Sequence, residues 1–198
     1  MIQTVVTKGK ISGPKYAGRV GKYLTDRNSR IRKLQSKMSK KFDVSEKRYV
    51  VVKKNEIRLF EDGSRKMATF SYPRWAQFVE YFEEVDNAVS KLVKDEGEVK
   101  LRIHIGGGWH VSVTSGYHCV DLRKFFLAQD GATKPTRTGI ALRLSEWDRL
   151  KQIAREMKEQ HPEIADAQPC WSQSDHFNQE GALMCNECNP FGNWFAAT

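Results

Sequence analysis

One pattern constrains this 198-residue chain more than any other: short runs rich in β-branched and aromatic residues, followed by an amphipathic helix, occur twice. The fuller copy reads IHIGGGWHVSV (103–113), HCVDLRKFF (118–126), a turn at Asp130-Gly131, KPTRTGIAL (134–142), then SEWDRLKQIAREM (145–157). The shorter copy reads VSEKRYVVV (44–52), NEIRLF (55–60), SRKMATFSY (64–72), then PRWAQFVEYFEEVDNAVSKLV (73–93). Runs of this kind bounded by Gly or charged turns predict strands. Trp75, Phe78, Val79, Phe82, Val85, Val89 and Leu92 recur every three or four residues, which predicts one helix with a broad apolar stripe. Pro73 suits its first position and Gly97 follows its end. In the second copy Trp147, Leu150, Ile153, Ala154 and Met157 form the stripe, Ser145 with Asp148 resembles a capping box, and Pro162 stops the helix. Trp75 and Trp147 begin the two stripes and are expected as core anchors. The expected fold class is α+β: tandem β-β-β(-β)-α modules, each a curved antiparallel sheet with one face covered by its helix and the other free.

Charge is distributed unevenly. Residues 1–41 hold twelve of the 33 Lys and Arg but only one of the 24 acids, Asp26, a net +11 that leaves −2 for the remainder. With Gly9, Gly13, Pro14, Gly18 and Gly21, this stretch is expected to be a disordered basic arm, with a weak helix over 27–41. Such an arm is drawn to phosphate by counterion release, without regard to sequence; the plainer alternative is a solubilising tail. The clusters at 30–33 and 37–41 suit nuclear import. No apolar run is long enough for a membrane span and no signal sequence follows Met1, so an intracellular, nuclear protein is expected.

Sheets that present Arg, Lys and aromatics on one face, backed by a helix, grip single-stranded nucleic acids. Three motifs give that general reading a family. IG-x-x-x-x-VSV spans Ile105 to Val113, DLR-x-x-F spans Asp121 to Phe126, and KP-x-R-x-GI spans Lys134 to Ile140, with a Trp-started helix at Trp147. In order and spacing these resemble the DNA-binding domain of the transcriptional positive cofactor 4 family, nuclear coactivators that bind single-stranded and melted DNA. Residues 44–93 resemble a second, shortened copy, most clearly at VDNAVSKL (85–92). The family module works as a dimer, so the resemblance implies an intramolecular pseudo-dimer joined by KDEGE (94–98), its halves held at high effective concentration. The implied organisation is a basic arm at 1–41, a shortened repeat at 42–94, a full repeat at 99–161 and a Cys/His-rich tail at 168–194.

By the same resemblance Arg123 and Phe126 fall on the binding ridge, and Lys134, Pro135 and Arg137 on its basic loop. A guanidinium pairs with phosphate or stacks on a base, lysine supplies a point charge, and an aromatic stacks on any base. Tyr117 is a further stacking candidate. Strand alternation allows only one of Phe125 and Phe126 to face the ligand. In the shorter copy Arg58, Phe60, Arg65 and Lys66 take comparable positions. The chain departs from the family at Gly107 and Thr138, where lysines are usual, and at Phe126, where a tryptophan is. Tyr49 and Trp75 are 26 positions apart, against 37 for His110 and Trp147, so eleven residues are missing from the first hairpin.

The C-terminal segment carries Cys170, His176, Cys185 and Cys188 as C-x5-H-x8-C-x2-C. In a reducing compartment this set suits tetrahedral, structural Zn2+, and no open coordination position would remain; the alternative is an accidental knuckle in an unstructured tail. Cys119 reads as a small core residue. No paired carboxylates, nucleophile with base, or phosphate loop is evident, so the expected function is nonenzymatic: a single-stranded DNA-binding coactivator that meets the transcription machinery. The alternative is an RNA-binding or zinc-dependent protein-interaction module, carried by a host gene or a mobile element.

Overall fold

The computed structural model describes residues 40–176 and 179–192. The basic arm and its import clusters lie almost wholly outside them. The first four strands are β1 (Lys40–Ser45), β2 (Arg48–Lys53), β3 (Glu56–Glu61) and β4 (Met67–Ser71), paired as an antiparallel meander in that order. Phe42, Val44, Val50, Val52, Ile57, Leu59, Ala68 and Phe70 all point to the core, one every second residue along each strand. The stretch 44–52, expected as one strand, turns at Glu46-Lys47, and β1 begins inside the segment assigned to the arm. Lysines 40 and 41 hid that strand, because β1 alternates only at Phe42 and Val44.

Ser71 caps α1 (Tyr72–Glu80), its side chain accepting the Arg74 N–H, with Pro73 in the first turn. The stripe expected as one helix over 73–93 is broken. Tyr81 bonds back to Phe78 O, and α2 (Phe82–Lys94) follows. The bend brings both Phe78 and Phe82 onto Trp147, at centroid distances of 5.9 and 4.9 Å.

The second meander comprises β5 (Lys100–Gly106), β6 (Trp109–Thr114), β7 (Cys119–Leu127) and β8 (Thr133–Arg143). The run 103–113, expected as a single strand, reverses at Gly106–Gly108, where all three glycines have positive φ. Helix α3 (Leu144–Gln160) starts one residue before Ser145. Its N-cap is Arg143, whose N–H is accepted by Glu146 at 2.9 Å, so Glu146 takes the place expected of Asp148. The short α4 (Pro162–Ala165), two 3-10 turns and α5 (Gln179–Met184) complete the chain.

The fold is α+β, two four-stranded antiparallel sheets each followed by helices. Each unit's helices also pack on the other unit: α1 and α2 reach β5 and β6, and α3 reaches β1. One aromatic cluster of Phe70, Trp75, Phe78, Phe82, Trp109 and Trp147 joins them. Trp75 and Trp147 are almost fully buried. Trp147 Nε1 donates to Asp86 at 2.7 Å, and Lys151 pairs with the same carboxylate at 2.8 Å. A single core built from both halves buries more apolar surface than either sheet could alone.

Candidate nucleic-acid interface

Register aligns the two units residue by residue. Val50 pairs with Leu59 as Val111 does with Leu122, and Leu59 pairs with Ala68 as Leu122 does with Ile140. The sequence separations are nine and eleven for the first pairing, nine and eighteen for the second. Of the eleven extra residues in the second unit, two therefore lie in the β6–β7 turn and nine in the β7–β8 hairpin. The hairpin extends past the sheet as a two-stranded ribbon, with Phe125 opposite Pro135 and Phe126 opposite Lys134.

The outward face of the second sheet carries Arg102, His104, His110, Asp121, Arg123 and Phe125. Arg123 Nε and Nη2 each bind the Asp121 carboxylate at 2.8 Å, and Nη1 reaches Thr136 O at 3.2 Å. The bond to Asp121 holds the Arg123 pKa above its ordinary value. Gly139 faces Arg123 because a Cβ there would lie 2.5 Å from Leu122 O, which explains the glycine of the KP-x-R-x-GI motif. Phe125, not Phe126, lies on this side, but it is buried at 8% exposure beneath its neighbours: its ring meets His110 at 4.5 Å and lies under Arg102 at 5.2 Å. His110 in turn lies 5.1 Å from His104. Burial, with His104 beside it, brings the His110 pKa down to about 4, so both rings are neutral stacking surfaces at neutral pH. Arg102, His104 and His110 were not singled out in the sequence, and Phe125 only as the alternative to Phe126. The alternation of His110 and Ser112 with buried Val111 and Val113 was the available signal.

Phe126 projects to the other side of the ribbon and is 46% exposed. Lys134 is tied to Asp130 at 2.5 Å, whereas Pro135 and Arg137 are exposed and Arg137 has no ion-pair partner among the described residues. Tyr117 stands 68% exposed in the β6–β7 turn. Cys119 is half-buried at the outward edge of β7, not a core residue.

On the first sheet Phe60, not Arg58, holds the register position of Arg123, and Tyr49 that of His110. Phe60 stacks on Tyr49 at 5.5 Å with Lys41 over the Tyr49 ring, while Arg58 pairs with Glu56 at 2.5 Å. Arg65 and Lys66 are exposed in the tight β3–β4 turn, Lys66 within 3.4 Å of Glu61. No residue of the first unit corresponds to Phe126.

Cys170, His176, Cys185 and Cys188 bring their ligand atoms within 4.8 Å of one another. Cys170 Sγ lies 3.4 Å from Cys185 Sγ and 3.6 Å from His176 Nε2. A tetrahedral zinc, with bonds of about 2.3 Å to sulfur and about 2.0 Å to nitrogen, separates its ligand atoms by about 3.5–3.8 Å. The cluster could hold a metal ion. Burial alone would raise the Cys185 thiol, but the Cys188 and Glu187 N–H groups and the His176 ring outweigh it and bring its pKa to about 7. Cys170 is pushed well up, first by burial and then by its sulfur neighbours. The segment does not stand apart from the body. Glu187, between two of the cysteines, accepts the Gly107 N–H at 2.8 Å through its carbonyl and binds Arg74 of α1 at 2.5–2.9 Å through its carboxylate.

Residues 110–153 match the family described as Transcriptional Coactivator p15 (PC4). They comprise β6, β7, β8 and most of α3, and one copy of the family is found. No curated protein and no solved structure matches the chain.

Proposed function

We propose that this protein is a nonenzymatic single-stranded DNA-binding transcriptional coactivator that works in the nucleus alongside the transcription machinery. The observation that carries the reading is the coincidence of the matched segment 110–153 with the unit that has the long hairpin. On that unit Arg102, His110, Arg123 and Phe125 line one face, and Phe126, Lys134, Pro135, Arg137 and Tyr117 rim the ribbon beyond it. Aromatics and cations alternate there without a base-specific pocket, which suits a strand read through stacking and phosphate contacts. Arg123 and Lys134 are already paired with carboxylates, so each must exchange a partner to bind phosphate, and affinity is moderate. The first unit is a diverged copy of the same module, retained as the second half of an intramolecular pseudo-dimer; Tyr49, Phe60, Arg65 and Lys66 give it a minor share of the binding. Among the described residues no helix is long and apolar enough to cross a membrane.

Titration of the purified protein against labelled oligo-dT, the matched RNA and duplex of equal length, at two salt concentrations, tests this reading. Tighter binding to oligo-dT than to duplex is expected, with affinity falling as salt rises. Equal affinity for duplex sinks it, and preference for the RNA moves the protein to the RNA-binding class.

The Cys3His cluster is a structural Zn2+ site in this reading, since four protein ligands leave no open position. Zinc would cross-link the 3-10 turns to the knuckle at Cys185–Cys188. Metal analysis should return about one equivalent per chain. A chain purified without chelator that carries no metal contradicts the site.

A further inference from the structure

We propose that the Arg74 guanidinium is a phosphate-binding site for the nucleic-acid strand, and that the Glu187 carboxylate occupies it as an internal competitor. The proposal rests on the single-strand reading above and assigns a residue outside the matched segment. Arg74 is held as a fixed fork: Nη1 is tethered to Thr69 O at 3.0 Å, while Nε and Nη2 address the Glu187 carboxylate at 2.5–2.9 Å. A guanidinium in that geometry fits a phosphate as well as it fits a carboxylate.

Its place in the fold is the second observation. Arg74 lies against the β5–β6 turn, where a Cβ on Gly107 would fall 2.3 Å from Arg74 Nη2 and one on Gly106 would fall 2.9 Å from Glu187 Oε2. The absence of side chains opens the turn to the guanidinium and to whatever the guanidinium binds. From this turn His104, His110 and Phe125 follow one another across the outward face toward the hairpin. Arg74 therefore caps one end of the strip that a strand would follow.

Charge supplies the third. Beyond Lys158 the chain has six acids, Glu159, Glu163, Asp166, Asp175, Glu180 and Glu187, and no Lys or Arg. A segment that extended the strand-binding face would carry cations; one of this sign beside it repels phosphate. The equivalent position in the other unit behaves differently. Glu146 takes the place of Arg74 in α3, and its ion pair with Arg48 is closed in on both sides, with side chains 11% and 16% exposed. Arg74 is as enclosed as Arg48, at 13% exposure, but Glu187 is 31% exposed against 11% for Glu146, which makes the carboxylate the partner to be displaced. Its flanking cysteines belong to the candidate metal site, which keeps the displaced carboxylate close and so at high effective concentration.

Fluorescence anisotropy with labelled oligo-dT over a salt series tests the proposal on the full chain, using Glu187→Ala, Glu187→Gln, Arg74→Gln with Glu187→Ala, and Arg123→Ala. Glu187→Ala should bind about three- to tenfold more tightly at low salt, and its log K against log salt should steepen by about 0.7, one additional phosphate contact on a single strand. Glu187→Gln, which keeps the shape of the side chain, should move in the same direction, and Arg74→Gln should erase the gain. Unchanged or weaker binding by both folded Glu187 variants overturns the proposal and makes the ion pair a clamp alone. Loss of affinity in Arg123→Ala shows in the same experiment that the single-strand reading stands. If wild type and every variant fail to bind oligo-dT, that reading falls and the proposal with it.

Discussion

In the first unit the last two strands run six and five residues and close directly onto the helix. In the second they run nine and eleven and overshoot the sheet. The inward positions pair in the same register in both and are apolar in both, although Ala68 stands where Ile140 does, whereas the outward positions differ in chemical kind. Aliphatic side chains meet aliphatic ones at Val50–Leu59 and Val111–Leu122. At the equivalent outward pairs, Tyr49 with Phe60 in one unit stands where His110 with Arg123 does in the other. The junctions between units differ too. At one, Arg48 binds Glu61, Glu146 and Ala141 O within the two units. At the other, Trp109 stands where Arg48 does and Arg74 draws its counter-charge from the C-terminal segment. The two units are alike on the apolar faces that build the common core and differ where solvent is met.

The largest effect should come from the shared core. Trp75→Ala and Trp147→Ala should each cost about 3–5 kcal/mol, and each should lower one unfolding transition seen equally by circular dichroism and tryptophan fluorescence. Two transitions, only one of them moved, would break the picture of a common core. Next, the hairpins should differ in binding. Phe126→Ala with Arg137→Ala should weaken oligo-dT binding about ten- to a hundredfold, from the loss of a stacked base and a phosphate contact. Phe60→Ala with Arg65→Ala should change it by less than about threefold, since an aromatic already stacked on Tyr49 offers little to a base. Equal losses would show that the long hairpin is not what matters.

The junctions give a smaller contrast. Glu146→Ala removes one of the four hydrogen bonds of the part-buried Arg48 and the second of its two carboxylate partners, and should cost about 1–2 kcal/mol in denaturant melts, whereas Glu187→Ala, with the more exposed carboxylate, should cost less than about 1 kcal/mol. The last contrast is in pH. His110 titrates at about 4 in the folded chain against 6.5 ordinarily, so between those values the unfolded chain binds a proton that the folded one refuses. Stability should therefore fall as pH drops through that window. His110→Tyr, which installs the first unit's residue, should lose part of the fall; a variant with an unaltered pH profile would show that another group is responsible.

Much of this architecture was legible in the chain. Helix stripes, inward alternation and the Cys/His spacing depend on local sequence, and the four Cys and His side chains meet as their spacing implied. What stayed hidden depends on partners distant in sequence. The Gly106–Gly108 reversal reads as part of a strand until Arg74 and Glu187 are seen filling the space beside it. The break at Tyr81 has no glycine or proline to announce it, and follows from two phenylalanines reaching one tryptophan. Phe125 and Phe126 are equivalent by composition, and only the pairing with β8 tells them apart. Glu187 is one acid among six in its segment, and its role follows from where the knuckle docks.

Under the proposed function a single strand lies on the second unit, along its outward face and hairpin. Hydrogen exchange measured by mass spectrometry with and without saturating oligo-dT tests it most directly. Peptides covering 100–112 and 119–143 should gain protection on binding, while those covering 56–71 should change little. Protection confined to 48–71, or spread equally over both sheets, would contradict it.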